Sequence, residues 1–233
     1  MVISRLPIDT QMIRSRLSFN GGILDITDRL NVLGVEFDNK LCFSRHVENL
    51  ARKASAKITV LRRMKYLLDK RGLCTLYKAQ VRSQLEYGFL AWSSCPPSHL
   101  ALLDKVQRRA ERLMESTGEL TQLPSLDSLE HRRKVGALTA LHKAQVQLAP
   151  HLAGLRVTWR QPTRSTRSVL ASNCQVEVPP SNTAQHQRTF TAVTSRLWNT
   201  MAREVELHHL STEQMKRAAN KWCATPQALR IWY

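Results

Sequence analysis

Apolar positions recur along this chain in two rhythms, and the change from one to the other comes near residue 40. Upstream, short alternating runs predict strands. Arg16-Leu17-Ser18-Phe19 and Ile23-Leu24-Asp25-Ile26 flank Asn20-Gly21-Gly22, and Asn-Gly between alternating apolar residues signals a hairpin because both positions tolerate positive φ. Leu30 to Phe37 reads as a third strand, carrying Gly34 where the backbone approaches a neighbour closely, and Asp38-Asn39-Lys40 closes it with a turn. From Ser44 the period becomes helical. Val47, Leu50, Ala54, Ile58, Leu61 and Leu68 predict a helix with Ser44 as its N-cap. A second helix is expected from Asp69 through Leu73, Leu76, Tyr77, Val81 and Leu85 to near Trp92, before Pro96-Pro97 breaks the chain. Ser98 is placed to cap a third, striped by Leu100, Leu103, Val106, Ala110, Leu113 and Met114 and ended by Gly118. Pro124-Ser125 opens a fourth, with Leu129, Val135, Leu138, Leu141 and Leu148 on one face and Pro150 as its stop.

Beyond residue 154 the rhythm fades. Arg156, Arg160, Arg164 and Arg167 alternate with Thr, Ser and Gln, which reads as an extended connection with a strand at Gln175–Val178. Two short helices, Thr191 to Met201 and Ser211 to Cys223, follow. The fold class expected is therefore mainly α with a small N-terminal β portion. Its divisions are 1–40, 41–154 for the helical bundle, and 155–233 for an irregular and helical C-terminal region.

Charge changes this picture more than composition does. The 233 residues carry 35 Lys and Arg against 18 Asp and Glu, a net +17, and such a field attracts polyanions. Nucleic acid is the expected partner, with an anionic membrane surface second. No apolar run reaches the length of a transmembrane helix, so no membrane partner is expected. Five scattered cysteines, an odd number, read as reduced thiols of an intracellular protein.

Catalytic chemistry is hard to place. Two-metal polymerases and nucleases need clustered carboxylates, and here the acids are sparse; Asp25 and Asp28 sit beside a turn that favours Asp for local hydrogen bonding. Cys42 and His46 have a ligand-like gap but no second pair at matching spacing. There is no glycine-rich phosphate loop and no nucleophile elbow. The basic residues say more. Arg45, Arg52, Lys53, Lys57, Arg62, Arg63, Lys65, Lys70 and Arg71 face only Glu48 and Asp69. Most lie off the apolar stripe, along a helix of about 35 Å that matches roughly one turn of duplex. Arg108, Arg109 and Arg112 form a second cluster, and Arg132, Arg133 and Lys134 a third.

Leu33-Gly34-Val35-Glu36-Phe37-Asp38, followed by Leu41 and His46, resembles the end of the palm in jockey-like non-long-terminal-repeat (LINE-type) retrotransposon reverse transcriptases. The likeness continues through Leu61-Arg62-Arg63, Leu76-Tyr77-Lys78, Val81-Arg82-Ser83 and Leu85-Glu86-Tyr87-Gly88 with Trp92. It extends over Leu103-Asp104-Lys105-Val106-Gln107-Arg108-Arg109-Ala110, Leu123-Pro124-Ser125-Leu126, His131-Arg132-Arg133, Ser195-Arg196-Leu197-Trp198-Asn199 and Lys216 to Trp222. Each motif is weak; their order and spacing together are specific. The resemblance implies a primer-grip strand at Leu33, Gly34 and Val35, a basic helical thumb after it, and a template–primer (RNA–DNA or DNA duplex) held through phosphates. Nucleic-acid-binding positions are expected at Arg45, Arg52, Lys53, Lys57, Arg62, Arg63, Lys65, Arg108, Arg109 and Arg112. The family's catalytic aspartates lie upstream of the matched region. No residue here inherits a catalytic or metal role and no cofactor is expected in this segment, although the complete enzyme would use Mg2+ and its N-terminal part is a further candidate partner. The reading is of a truncated RNA-directed DNA polymerase from a transposable element, binding without synthesis. Two other readings stay open: a helical protein-interaction module, and a relic of a mobile element without function.

Overall fold

The structure, a computed structural model, describes residues 1–3, 9, 12–13, 16–117, 126–161 and 174–225. It is mostly helical, with two small hairpins near the N-terminus. β1 (Ser18–Phe19) and β2 (Gly22–Ile23) pair antiparallel around Asn20 and Gly21, both at positive φ, as the Asn-Gly signal requires. β3 (Arg29–Val32) pairs with β4 (Val35–Asp38), Val32 opposite Val35. The single strand expected over Leu30–Phe37 is therefore two strands. Leu33 and Gly34 take φ of 48° and 83°, the successive positive values that a tight hairpin turn needs. A leucine seldom adopts that region, so it conceals the turn from sequence reading.

The long helix α1 (Ser44–Arg63) buries Val47, Leu50, Ala54, Ile58 and Leu61, as its periodicity predicts, but Leu68, expected to close the stripe, lies past the helix end, partly buried against the same core. Its start differs from expectation. Ser44 is already helical, and Phe43 before it is left-handed with no side-chain cap. Asp38 instead steadies the entry to the helix from the end of β4, its carboxylate accepting from the backbone N–H of Cys42 (3.0 Å) and Phe43 (2.7 Å). One aspartate thus fastens the second hairpin to the helix that follows it.

After a single 3-10 turn at Met64–Tyr66, Asp69 caps α2 (Lys70–Leu76) by accepting from Gly72 N–H at 2.7 Å. Gly72 suits that cap, because a Cβ there would lie 2.9 Å from the Asp69 carboxylate. The helix expected to run on to Trp92 changes form first. Tyr77–Arg82 is a π-helical segment, and Ser83–Glu86 is a last α-helical turn, α3. The element therefore stops at Glu86, short of Trp92, and Gly88 at φ 62° turns the chain away.

α4 (Pro97–Glu115) starts directly on Pro97 with Pro96 before it, the first-turn position that proline suits. Ser98 is inside the helix, its hydroxyl against His99 Nδ1, so it is not the cap. Gly118 and the Pro124-Ser125 start lie outside the described residues. α5 (Leu129–Gln145) is capped by Ser128, whose hydroxyl accepts from His131 N–H at 3.1 Å. It stops before Leu148, which is exposed at φ 53°. The expected strand at Gln175–Val178 reduces to one antiparallel bridge, Trp159 to Val176. A short turn of helix, α6 (Ala184–Gln187), leads to α7 (Phe190–Met201) and α8 (Thr212–Cys223), both within a residue of the periodicity. Ser211 and Gln214 close a capping box on α8.

Apolar residues gather in two cores. The first joins α1, the α2–α3 element and α4 around Leu73, Tyr77, Val81, Leu85, Trp92 and Leu103. In the second, α5 packs on α7 and α8 around Leu138, Leu141, Leu197, Trp198, Met215 and Trp222. The polar run after residue 154 joins the second core through Trp159 and Val176. Phe89 touches both cores, and a Cβ at Gly136 would come within 2.9 Å of its ring, so the glycine admits the aromatic against α5.

A two-pronged ion pair also crosses between them. Arg132 on α5 donates through Nε and Nη2 to the two carboxylate oxygens of Glu86 on α3, the second at 2.9 Å. Such forked pairs are stronger than single contacts. Glu86→Ala is expected to destabilise the fold by about 1.5–3 kcal/mol, by stranding a half-buried guanidinium. A urea midpoint equal to that of the parent would contradict this.

Candidate nucleic-acid interface

The bases on α1 leave the helix in different directions. At about 100° per residue, Arg52, Ser55 and Arg62 fall on one flank of the apolar stripe and Lys53 and Lys57 on the other. α4 packs along the first flank and turns Lys105, Arg108, Arg109 and Arg112 toward it. The two helices enclose a groove of about 440 Å³ lined by Arg52, Ser55, Lys105, Arg108, Arg109 and Arg112, with Ala51, Leu102 and Val106 as its floor. No carboxylate among the described residues lines it. Arg52 donates to the Asn49 side-chain oxygen at 3.3 Å. Two sequence clusters some fifty residues apart thus meet in one place. Lys105 is not among the positions expected to bind. Its spacing of three, four and seven from Arg108, Arg109 and Arg112 is the helical signal that points to it.

Other expected positions serve elsewhere. Arg45 pairs with Glu36 at 3.3 Å. Lys57 donates to the Gln80 carbonyl at 2.9 Å, inside the π-helical segment. Lys53 lines a second cleft, of about 420 Å³, between α1 and the second hairpin. Arg62, Arg63 and Lys65 stand at the far end of α1. The third basic cluster turns inward. Arg132 holds Glu86, Arg133 lies buried 3.9 Å from Asp104, and Lys134, 1% exposed, meets Glu130 at 2.7 Å. Those three side chains build the protein rather than face a ligand.

Leu33, Gly34 and Val35 sit together at the second hairpin, but Leu33 and Gly34 form its turn and Val35 begins β4. The single strand expected through these three residues is therefore a hairpin turn leading into a strand. Tyr87 donates its hydroxyl to the Leu33 carbonyl at 2.8 Å, and Trp92 Nε1 holds the Tyr87 carbonyl at 2.9 Å. The Leu33 side chain is 86% exposed at the tip. Behind it, His46 Nδ1 accepts from Glu36 N–H at 3.2 Å, so Nε2 carries the imidazole proton. The hairpin is thus anchored to the helical bundle at its turn and along β4.

Burial holds His46 below the usual histidine range, opposed by Glu36 and helped by Lys53. His142, fully buried with Nε2 against the Leu207 carbonyl, is lowered by burial as well. In the unfolded chain both imidazoles take up a proton near pH 6.5. The unfolded state thus binds more protons below that pH, and stability falls there as acid is added. The urea midpoint is expected to drop between about pH 7.5 and pH 5, and a His46→Gln/His142→Gln double variant to flatten the change. An equally steep loss in that variant would assign the effect to other groups.

Among the described residues no three metal-ligating side chains converge, and Cys42 and His46 belong to no such group. All five cysteines are free thiols; burial raises Cys95 to about 12 and Cys223 to about 11. No described helix is long and apolar enough to cross a membrane. Comparisons with protein-family models, curated proteins and solved structures found no match.

Proposed function

We propose that this chain binds duplex nucleic acid through its phosphates, as the primer-grip and thumb portion of a LINE-type reverse transcriptase, without polymerase chemistry of its own. The groove between α1 and α4 is the main support. Five cationic side chains converge on it, and no described carboxylate lines it. Charges of one sign held together repel one another and cost stability unless a polyanion joins them. Phosphates supply that charge, and guanidinium groups match their oxygens in pairs.

The hairpin at Leu33–Val35 is the second element, suited to steady a primer terminus against the helical bundle. A protein neighbour is part of the same reading. Phe19, Ile23, Leu30 and Val32 are exposed on two-stranded hairpins, and such hairpins are marginal alone. A sheet from the palm of the enzyme would cover them.

Fluorescence anisotropy with a labelled duplex tests the reading. Affinity is expected to fall steeply and log-linearly with salt, and the purified chain to incorporate no nucleotide with Mg2+ present. Affinity indifferent to salt, or measurable primer extension, would overturn it.

A further inference from the structure

Tyr66 and Leu67 are 89% and 80% exposed, side by side in the turn between α1 and α2. Single exposed apolar residues are ordinary on a protein surface. These two differ in being adjacent and in their setting. The apolar stripe of α1 ends at Leu61, and the 3-10 turn at Met64–Tyr66 rotates the next side chains away from the core. Arg62, Arg63, Lys65 and Arg71 lie within five residues of them in the chain. The acid in this stretch, Asp69, is engaged in capping α2 through Gly72.

We propose that this turn is a stacking site for an unpaired nucleobase, where a strand leaving the groove lays a base on the Tyr66 ring with Leu67 beside it. The proposal rests on the nucleic-acid reading above and adds a single-strand preference to it. Position supports it. By the helical repeat Arg62 falls on the flank of α1 that carries the groove residues Arg52 and Ser55, so cationic positions continue beyond the groove toward the turn. From Arg52 to Tyr66 is about 20 Å of helix, the length of roughly six base pairs. Charge selects a polyanion, and an aromatic face among cations suits any base, because every base presents a π-face. An anionic lipid surface shares the charge but offers no ring to stack.

The test compares a blunt duplex, the same duplex with a single-stranded overhang, and vesicles containing an anionic phospholipid, each titrated with the parent, Tyr66→Ala and Tyr66→Phe chains. Tyr66→Ala is expected to lose about 5- to 100-fold in affinity for the overhang substrate. Its blunt-duplex affinity and salt dependence should not change, because the side chain carries no charge. Tyr66→Phe should bind as the parent does. Equal binding of the overhang by Tyr66→Ala and parent would overturn the proposal. So would an equal loss on both duplexes, or a loss confined to vesicles. Failure of the parent to bind the blunt duplex would instead strike the groove reading, while the overhang comparison still reports on Tyr66.

Discussion

Reversing two charges in the groove, Arg109→Glu with Arg112→Glu, is expected to lower duplex affinity by on the order of 100-fold or more at physiological salt. Each lost charge-assisted contact is worth about 1.5–3 kcal/mol, and each new carboxylate adds repulsion. The salt dependence should also become shallower, by about one power of salt for each phosphate contact removed. Both residues lie on the groove side of α4, clear of the buried positions Val106, Ala110 and Met114, so the fold should survive. Circular dichroism and the urea midpoint would check that. Unchanged affinity in a folded double variant would move the interface off this groove.

The largest stability effect is expected from Trp198→Ala. Trp198 is fully buried in the second core, and its indole Nε1 donates to the Cys174 carbonyl at 2.7 Å. Removing it opens a cavity and orphans a carbonyl, a loss of about 3–5 kcal/mol. Because the cores are distinct clusters, hydrogen exchange should show lost protection over α5, α7 and α8 with α1 and α4 retained. Uniform loss across both would show that they unfold as one unit. Asn199 beside it explains the neighbouring motif. Its side-chain amide exchanges two 2.8 Å hydrogen bonds with the Val176 backbone, as a strand would. Trp198 and Asn199 are thus structural, tying a chain segment to a helix.

Periodicity is enough to find α1, α4, α7 and α8, because each buries a continuous apolar stripe. It fails where geometry depends on partners distant in the chain. The turn at Leu33–Gly34 is held by Tyr87, fifty-four residues from Leu33, which compensates a leucine in a left-handed conformation. The π-helical segment keeps its apolar side buried at Tyr77 and Val81, so it reads like any α-helix. Nearer in the chain, Ser44 is passed over because Phe43 takes the N-cap position in a left-handed conformation, with Asp38 holding the backbone N–H groups of Cys42 and Phe43, a geometry that the apolar period does not show.

Net charge, helical class and the placing of cationic residues along each helix are all legible in the order of amino acids. They follow from composition and from the helical repeat, which are local. Which cations face outward together is settled by packing alone. Packing joins Arg52 to Lys105, Arg108, Arg109 and Arg112, and it turns Arg132, Arg133 and Lys134 inward against acids. A charge's role depends on what lies beside it, and the deciding neighbours of Arg52, Arg132 and Arg133 come from distant parts of the chain, while Lys134 meets Glu130 one turn away on its own helix.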